Sequence, residues 1–216
     1  VGMPYREFLG WVEQRLSATG GEGPHGYDCA ASFRADIALL DDSLRRHSGA
    51  NAGHFAVQRL LWRIDTFGFH LATLDLRQHA GVHDAALAAL LGDEQWRGRE
   101  PAAKARHLRR LLDDDAVPRA RSAPLTGAED TLEVFRTVGR ALPSFGHHAF
   151  GAYIISMSRS AADALGVLVL ARSADCVDGN GHVPLDIVPL SETVDHLDGA
   201  TQTMRSLFED PAYRRH

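Results

Sequence analysis

Three short apolar runs rich in β-forming residues constrain the fold of this 216-residue chain most: Thr66–Gln78, Phe150–Met157 and Leu185–Leu190. Each ends in polar groups, namely Asp75 and Arg77, Ser156 and Arg159, and Glu192 and Thr193. Helical periodicity fills the stretches between and after them. Strands that alternate with helices predict a parallel sheet, whose ligands bind at the carboxyl ends of the strands. Thr66–Gln78 reads as a buried strand with a charged C-terminal end. Alternation puts Thr73, Asp75 and Arg77 on one of its faces and Leu74 and Leu76 on the other. Polar groups at three successive strand ends are the pattern of a (β/α) barrel site. The predicted class is therefore α/β: a helix-rich partial TIM-type barrel, first strands only, with leading helices and a helical insertion. Three strands cannot close an eight-stranded barrel.

Residues 1–65 form the expected leading helical segment and 66–216 the strand–helix units. A helix over 3–17 starts with Pro4 in its first turn, where a missing N–H does no harm, and carries Tyr5, Phe8, Leu9, Val12 and Leu16 on one face. Residues 18–26 hold four glycines and a proline and read as a loop. Helices follow over about 28–46, with Phe33, Ile37, Leu40 and Leu44, and about 54–65, with Leu60, Leu61 and Ile64. Arg45 and Arg46 read as cations favoured by a helix C-terminus. Beyond the first strand, helices are expected over about 80–91 and 100–113. Asp113, Asp114 and Asp115 read as a solvated helix end rather than a cation site, because sequence neighbours do not converge on one ion without a built loop. Residues 115–126 form a long connection, and Thr126 and Glu129 have the spacing of a capping box for a helix that Pro143 closes. Ser160 and Asp163 repeat that spacing ahead of a helix apolar on most sides, predicted to be buried. A last helix is expected over about 197–208.

With 44% hydrophobic and 24% charged residues the composition is that of an ordinary globular protein. A net charge of −5 offers no basic footprint for nucleic acid. Cys29 and Cys176, far apart, point to reduced thiols. No apolar run is long enough to span a bilayer, and there is no secretory-type leader, so a cytoplasmic location is expected. The chain begins Val1-Gly2-Met3 and breaks off after a helix-like run, which reads as a piece of a longer polypeptide.

Arg77 offers a planar, permanently charged fork suited to carboxylate or phosphate. Spacing leaves open the alternative of a salt bridge to Asp75 on the same face. Glu192 is a hard oxygen donor of the kind Mg²⁺ or Mn²⁺ prefers, but one Glu alone is a weak metal signal, and spacing favours a carboxylate stabilised at a helix N-terminus. His79 and His83, four apart, could share a helix face, but no nearby Glu or Cys completes a zinc set. His147 and His148 are adjacent and would not point at one ion. Gly-rich phosphate loops, Gly-x-Ser-x-Gly elbows and Cys-x-x-Cys pairs are absent from the sequence.

The run Thr66–Gln78 resembles the first barrel-strand motif of bacterial phosphoenolpyruvate carboxylases. Ala152–Met157 with Ser160 and Asp163, Leu185–Thr193, and the closing stretch to Tyr213-Arg214 resemble that family in the same order. The resemblance implies an enzyme that joins phosphoenolpyruvate to bicarbonate, giving oxaloacetate and phosphate by way of carboxyphosphate and an enolate, with Mg²⁺ or Mn²⁺. It implies an anaplerotic role feeding the tricarboxylic acid cycle, a cytoplasmic homotetramer, Glu192 as a metal ligand, Arg77 facing the substrate and Leu190 in an apolar CO₂ pocket. The family's catalytic histidine falls upstream of the matched stretch. Its second metal carboxylate, catalytic lysine and glycine-rich arginine loop fall downstream, so the chain alone is expected to be inactive. Two departures stand out: His79-Ala80 replace a usual polar pair, and Ser191 replaces a usual Phe. A catalytically dead regulatory or scaffold domain, or another phosphoenolpyruvate-using barrel such as a dikinase, are the alternative readings.

Overall fold

A computed structural model describes residues 3–21, 25–120 and 127–216. The chain divides into two units, one comprising the stretch up to Thr73 with Leu142–Ala149, the other Leu74–Ala141 with Phe150–His216.

The first unit is built on three helices, α1 (Pro4–Ala18), α2 (Ala30–Arg46) and α3 (His54–Phe67). Pro4 occupies the first turn of α1, as its fixed φ favours. Val12, Phe33, Ile37 and Ile64 recur at helical spacing and bury their faces together with Tyr27. The rings of Phe33 and Phe69 stack with centroids 6.0 Å apart. Arg45 and Arg46 at the end of α2 pair with Asp41 and Asp42 one turn back, so their role is local.

The first strand does not begin at Thr66. Thr66 and Phe67 complete the last turn of α3, whose end is set by Gly68: at φ 50° it donates its N–H to the Ile64 carbonyl at 2.9 Å. Extended backbone starts only at Leu74, and β1 is Leu74–His79. Nor is this strand buried, since Leu74 is 59% exposed. β1 lies at an edge of the sheet, whose order is β1-β2-β3.

The second unit holds this sheet. β2 (Phe150–Ser156) lies between β1 and β3 (Asp186–Pro189) and pairs parallel with both. The structure is thus α/β with a parallel sheet, as expected. The helices α4 (Ala80–Leu91), α5 (Pro101–Asp113), α6 (Glu129–Phe145), α7 (Ala161–Ser173), α8 (Val194–Glu209) and α9 (Pro211–Arg215) complete the element order. Asp84 on α4 accepts from Lys104 Nζ at 2.8 and 2.9 Å and from the Trp96 indole at 3.1 Å, tying α4 to α5. No helix among the described residues is long and apolar enough to cross a membrane. Cys29 is exposed, Cys176 is buried, and both are free.

α7 is the buried helix that its sequence predicts. Every residue from Ala161 to Ser173 is buried except Asp163 and Arg172. Burial of leucines such as Leu165 and Leu170 stabilises the fold by about 2 kcal/mol each. α4 and α5 both pack on it. Gly166 permits the approach of α4, because a Cβ there would meet Leu87 Cδ1 at 2.7 Å. The Asp163 carboxylate accepts from the Ser160 N–H at 2.9 Å and from the Arg159 N–H at 2.8 Å, the expected cap. Thr126, the other expected cap residue, lies outside the described residues.

Two helix ends depart from expectation. α6 runs two residues past Pro143 and stops at Gly146, which has φ 80° and donates to the Leu142 carbonyl at 2.8 Å. Proline removes one N–H but leaves the residues after it free to continue. α8 begins at Val194 rather than 197, because Thr193 accepts from the His196 N–H at 3.2 Å and caps it. α9 follows from a signal passed over in the sequence, Asp210-Pro211. The Asp210 carboxylate caps α9 through the Ala212 and Tyr213 N–H groups, at 2.9 and 3.2 Å, and pairs with Arg109 of α5. The Tyr213 hydroxyl in turn donates to the Ile187 carbonyl of β3 at 2.7 Å.

The core holds a titratable pair between α4 and β2. His83 of α4, 2% exposed, places Nε2 2.8 Å from the Tyr153 hydroxyl, and Tyr153 stacks on Phe135 with centroids 5.0 Å apart. Burial pushes the His83 pKa from 6.5 down to about 4, against the pull of the neighbouring Asp84 carboxylate. The unfolded chain therefore binds this proton near pH 6.5 and the folded chain only near 4. The associated stability is full above pH 6.5 and is lost as pH falls toward 4, by about 3 kcal/mol. His83→Gln can still bond to Tyr153 but does not titrate. In urea unfolding across this pH range the variant should lose about 3 kcal/mol less than the parent. Equal pH slopes for the two proteins would refute the assignment.

Candidate functional site

Parallel pairing brings the C-terminal ends of the three strands to the same side of the sheet, and Arg77 and Glu192 meet there. Arg77 Nη2 donates to Glu192 Oε2 at 3.0 Å, across 115 residues of sequence. The second carboxylate oxygen, Oε1, accepts the Met157 N–H at 2.8 Å. Met157 follows β2 and has φ 57°, a left-handed conformation uncommon for a residue with a side chain. That conformation accompanies an amide directed at Glu192. Leu190 donates its N–H to the Ile155 carbonyl at 2.9 Å, which carries the β3 pairing one residue past the strand. It lies half-buried two residues before the carboxylate. All three strands thus contribute to one cluster: Arg77 from β1, the Met157 amide after β2, and Glu192 after β3.

Asp75 is not the partner of Arg77. Its Oδ1 accepts the Ala152 N–H at 3.2 Å, where one residue of β1, Asp75, opposes two of β2, Gly151 and Ala152, and the register shifts. At this bulge Ala152 lacks a β1 carbonyl, and the carboxylate supplies the acceptor. Glu192 does not serve α8 as a cap either. Its oxygens go to Arg77 and Met157, while Thr193 caps the helix and Asp195 is the acidic residue of its first turn.

The histidine pair dissolves as a metal site. His79 Nδ1 accepts from the Gly81 N–H at 2.9 Å, and His83 is committed to Tyr153. Asp113 pairs with Arg215, in keeping with a solvated helix end. Among the described residues no three His, Cys, Asp or Glu side chains are grouped to hold a metal ion. Glu192 has the donor chemistry for Mg²⁺ or Mn²⁺, but as a single carboxylate with both oxygens engaged it does not fit a complete metal set.

Charged groups thus gather beyond the carboxyl ends of a parallel sheet, the place where α/β folds bind ligands. Comparison with known proteins sharpens this. The family model for phosphoenolpyruvate carboxylase matches residues 4–216. The chain is 43% identical over 215 residues to the phosphoenolpyruvate carboxylase of Xanthomonas oryzae pv. oryzae, covering 99% of this chain and 24% of that protein. It is 35% identical to the phosphoenolpyruvate carboxylase of Chromobacterium violaceum, covering 98% and 26%, and 32% identical to that of Mycolicibacterium paratuberculosis, covering 98% and 25%. The chain belongs to the phosphoenolpyruvate carboxylase family, and it spans about a quarter of the length of these curated relatives.

The side chains of Arg77 and Glu192 are 55% and 31% exposed, so solvent screens their attraction. Such pairs contribute about 1 kcal/mol or less. Arg77→Gln should accordingly shift urea-unfolding stability by less than about 1 kcal/mol. A loss of about 3 kcal/mol or more would make the pair a structural element instead.

Proposed function

We propose that this chain is one segment of a phosphoenolpyruvate carboxylase, which converts phosphoenolpyruvate and bicarbonate to oxaloacetate and phosphate. In this reading residues 1–65 lead into the first strands of a (β/α)8 barrel, and β1, β2 and β3 are those strands. The observation that carries the proposal is the meeting of Arg77 and Glu192 at the strand ends. Family membership supplies the reaction, and this contact supplies a place for part of it.

Arg77 binds the phosphate or carboxylate of the substrate, where its fork can form two charge-assisted hydrogen bonds and offset developing negative charge. An anion arriving there displaces Glu192 from the guanidinium. Glu192 would be one oxygen ligand of Mg²⁺ or Mn²⁺, with further ligands supplied from outside this chain, and the ion would offset negative charge on the substrate oxygens. Leu190 forms part of an apolar wall that excludes water beside the reacting carbon, where CO₂ would be held. The parent enzyme is a cytoplasmic homotetramer with an anaplerotic role.

The 216-residue chain by itself should form no oxaloacetate from phosphoenolpyruvate, bicarbonate and Mg²⁺. Substituting it for the matching segment of the Xanthomonas oryzae relative should give an active chimera. In that chimera Arg77→Gln should lower kcat/KM by ~100-fold or more. A folded but inactive chimera would instead support a catalytically dead scaffold, and activity of the isolated chain would overturn the division of the site.

A further inference from the structure

A cleft in the strand–helix unit is lined by neither Arg77, Met157, Leu190 nor Glu192. It is open, about 370 Å³ in volume, and bounded by α5, the loop before α7, and α8. Arg106 and Arg109 line it from α5 and Arg159 from the loop. No Asp or Glu lines it, although the chain as a whole carries a net charge of −5.

The three arginines are not equivalent. Arg109 donates Nε and Nη2 to the buried Asp210, which fixes its position and offsets its charge. The guanidinium groups of Arg106 and Arg159 have no carboxylate partner among the described residues. The nearby Asp163 is bonded within its own turn, where one carboxylate oxygen accepts from Ser158 Oγ and the Arg159 and Ser160 N–H groups. That arrangement also satisfies the α7 N-terminus, so the positive charge of the cleft comes from the side chains. Thr203 and Ser206 of α8 add hydroxyls, and alanines such as Ala105 and Ala162 leave a shallow apolar floor.

From this cleft we infer a binding site for a phosphate dianion, free or carried as a small phosphomonoester. Two unpaired guanidinium groups match its charge and its several acceptor oxygens. The volume lies at the lower end of the range for small-molecule sites and leaves room for a short polar carbon body on the alanine floor.

The test is calorimetric titration of the 216-residue chain at constant ionic strength with glycerol 3-phosphate, inorganic phosphate and glycerol. Both phosphate probes should bind and glycerol should not. Tighter binding of glycerol 3-phosphate assigns the site to an ester; equal affinity assigns it to free phosphate. Arg106→Gln combined with Arg159→Gln should raise Kd at least ~10-fold, the loss expected on removing charge-assisted bonds. Ala105→Glu, which places a carboxylate in the cleft while keeping all three arginines, should abolish binding. Arg77→Gln should leave Kd within ~2-fold, which separates this cleft from the strand-end cluster. Absence of phosphate binding, an unchanged Kd in both the double variant and Ala105→Glu, or a loss that follows Arg77→Gln alone would overturn the inference.

Discussion

Parallel pairing of β2 with both of its neighbours is the constraint on which the functional end of the strand–helix unit depends. It aligns three carboxyl ends, so residues far apart in sequence end at the same level. Arg77 and Glu192 come within 3.0 Å because β1 and β3 each register against β2 and need not touch each other. The buried helix α7 supports this order. It packs against β3 as well as α4 and α5, and Gly166 lets α4 close onto it. A connection between parallel strands must cross the sheet, and here the crossover from β2 to β3 is the most buried helix of the chain.

The turn between β2 and α7 serves three demands within four residues. Met157 directs its amide at Glu192, Arg159 lines the arginine cleft, and Ser160 starts the helix. Asp163 makes this possible by accepting from both the Arg159 and Ser160 amides, which anchors the turn to α7. A loop tied to a buried helix can hold a positive φ at Met157 at a cost of about 1 kcal/mol or more, because its surroundings over-determine it.

Local pattern was enough to read α7, its cap, the second and third strands and the helical stretches between the strands. It was misleading at Gly68. A glycine ahead of an apolar run looks the same whether it enters a strand or ends a helix, and only the left-handed φ distinguishes them. The pairing of Arg77 was not legible, because Asp75 is the nearer carboxylate in sequence while Glu192 is the nearer in space. Met157 contributes through its backbone, and side-chain identity carries no signal for that. Asp210-Pro211 was the opposite case: an N-cap residue ahead of a first-turn proline states a helix start in the sequence itself.

The unequal holding of the two Glu192 oxygens bears on how the cluster can work. Oε1 is held by a backbone amide whose position the α7 cap secures, whereas Oε2 faces a guanidinium on a long side chain that is 55% exposed. The first bond orients the carboxylate, and the second is screened and worth about 1 kcal/mol or less. In the proposed site an incoming phosphate or carboxylate would offer Arg77 a bidentate partner, so exchange at the guanidinium would favour the ligand while the Met157 amide keeps Glu192 in place. The contact between Arg77 and Glu192 is therefore weak enough to be replaced, and its partners are positioned well enough to receive what replaces it.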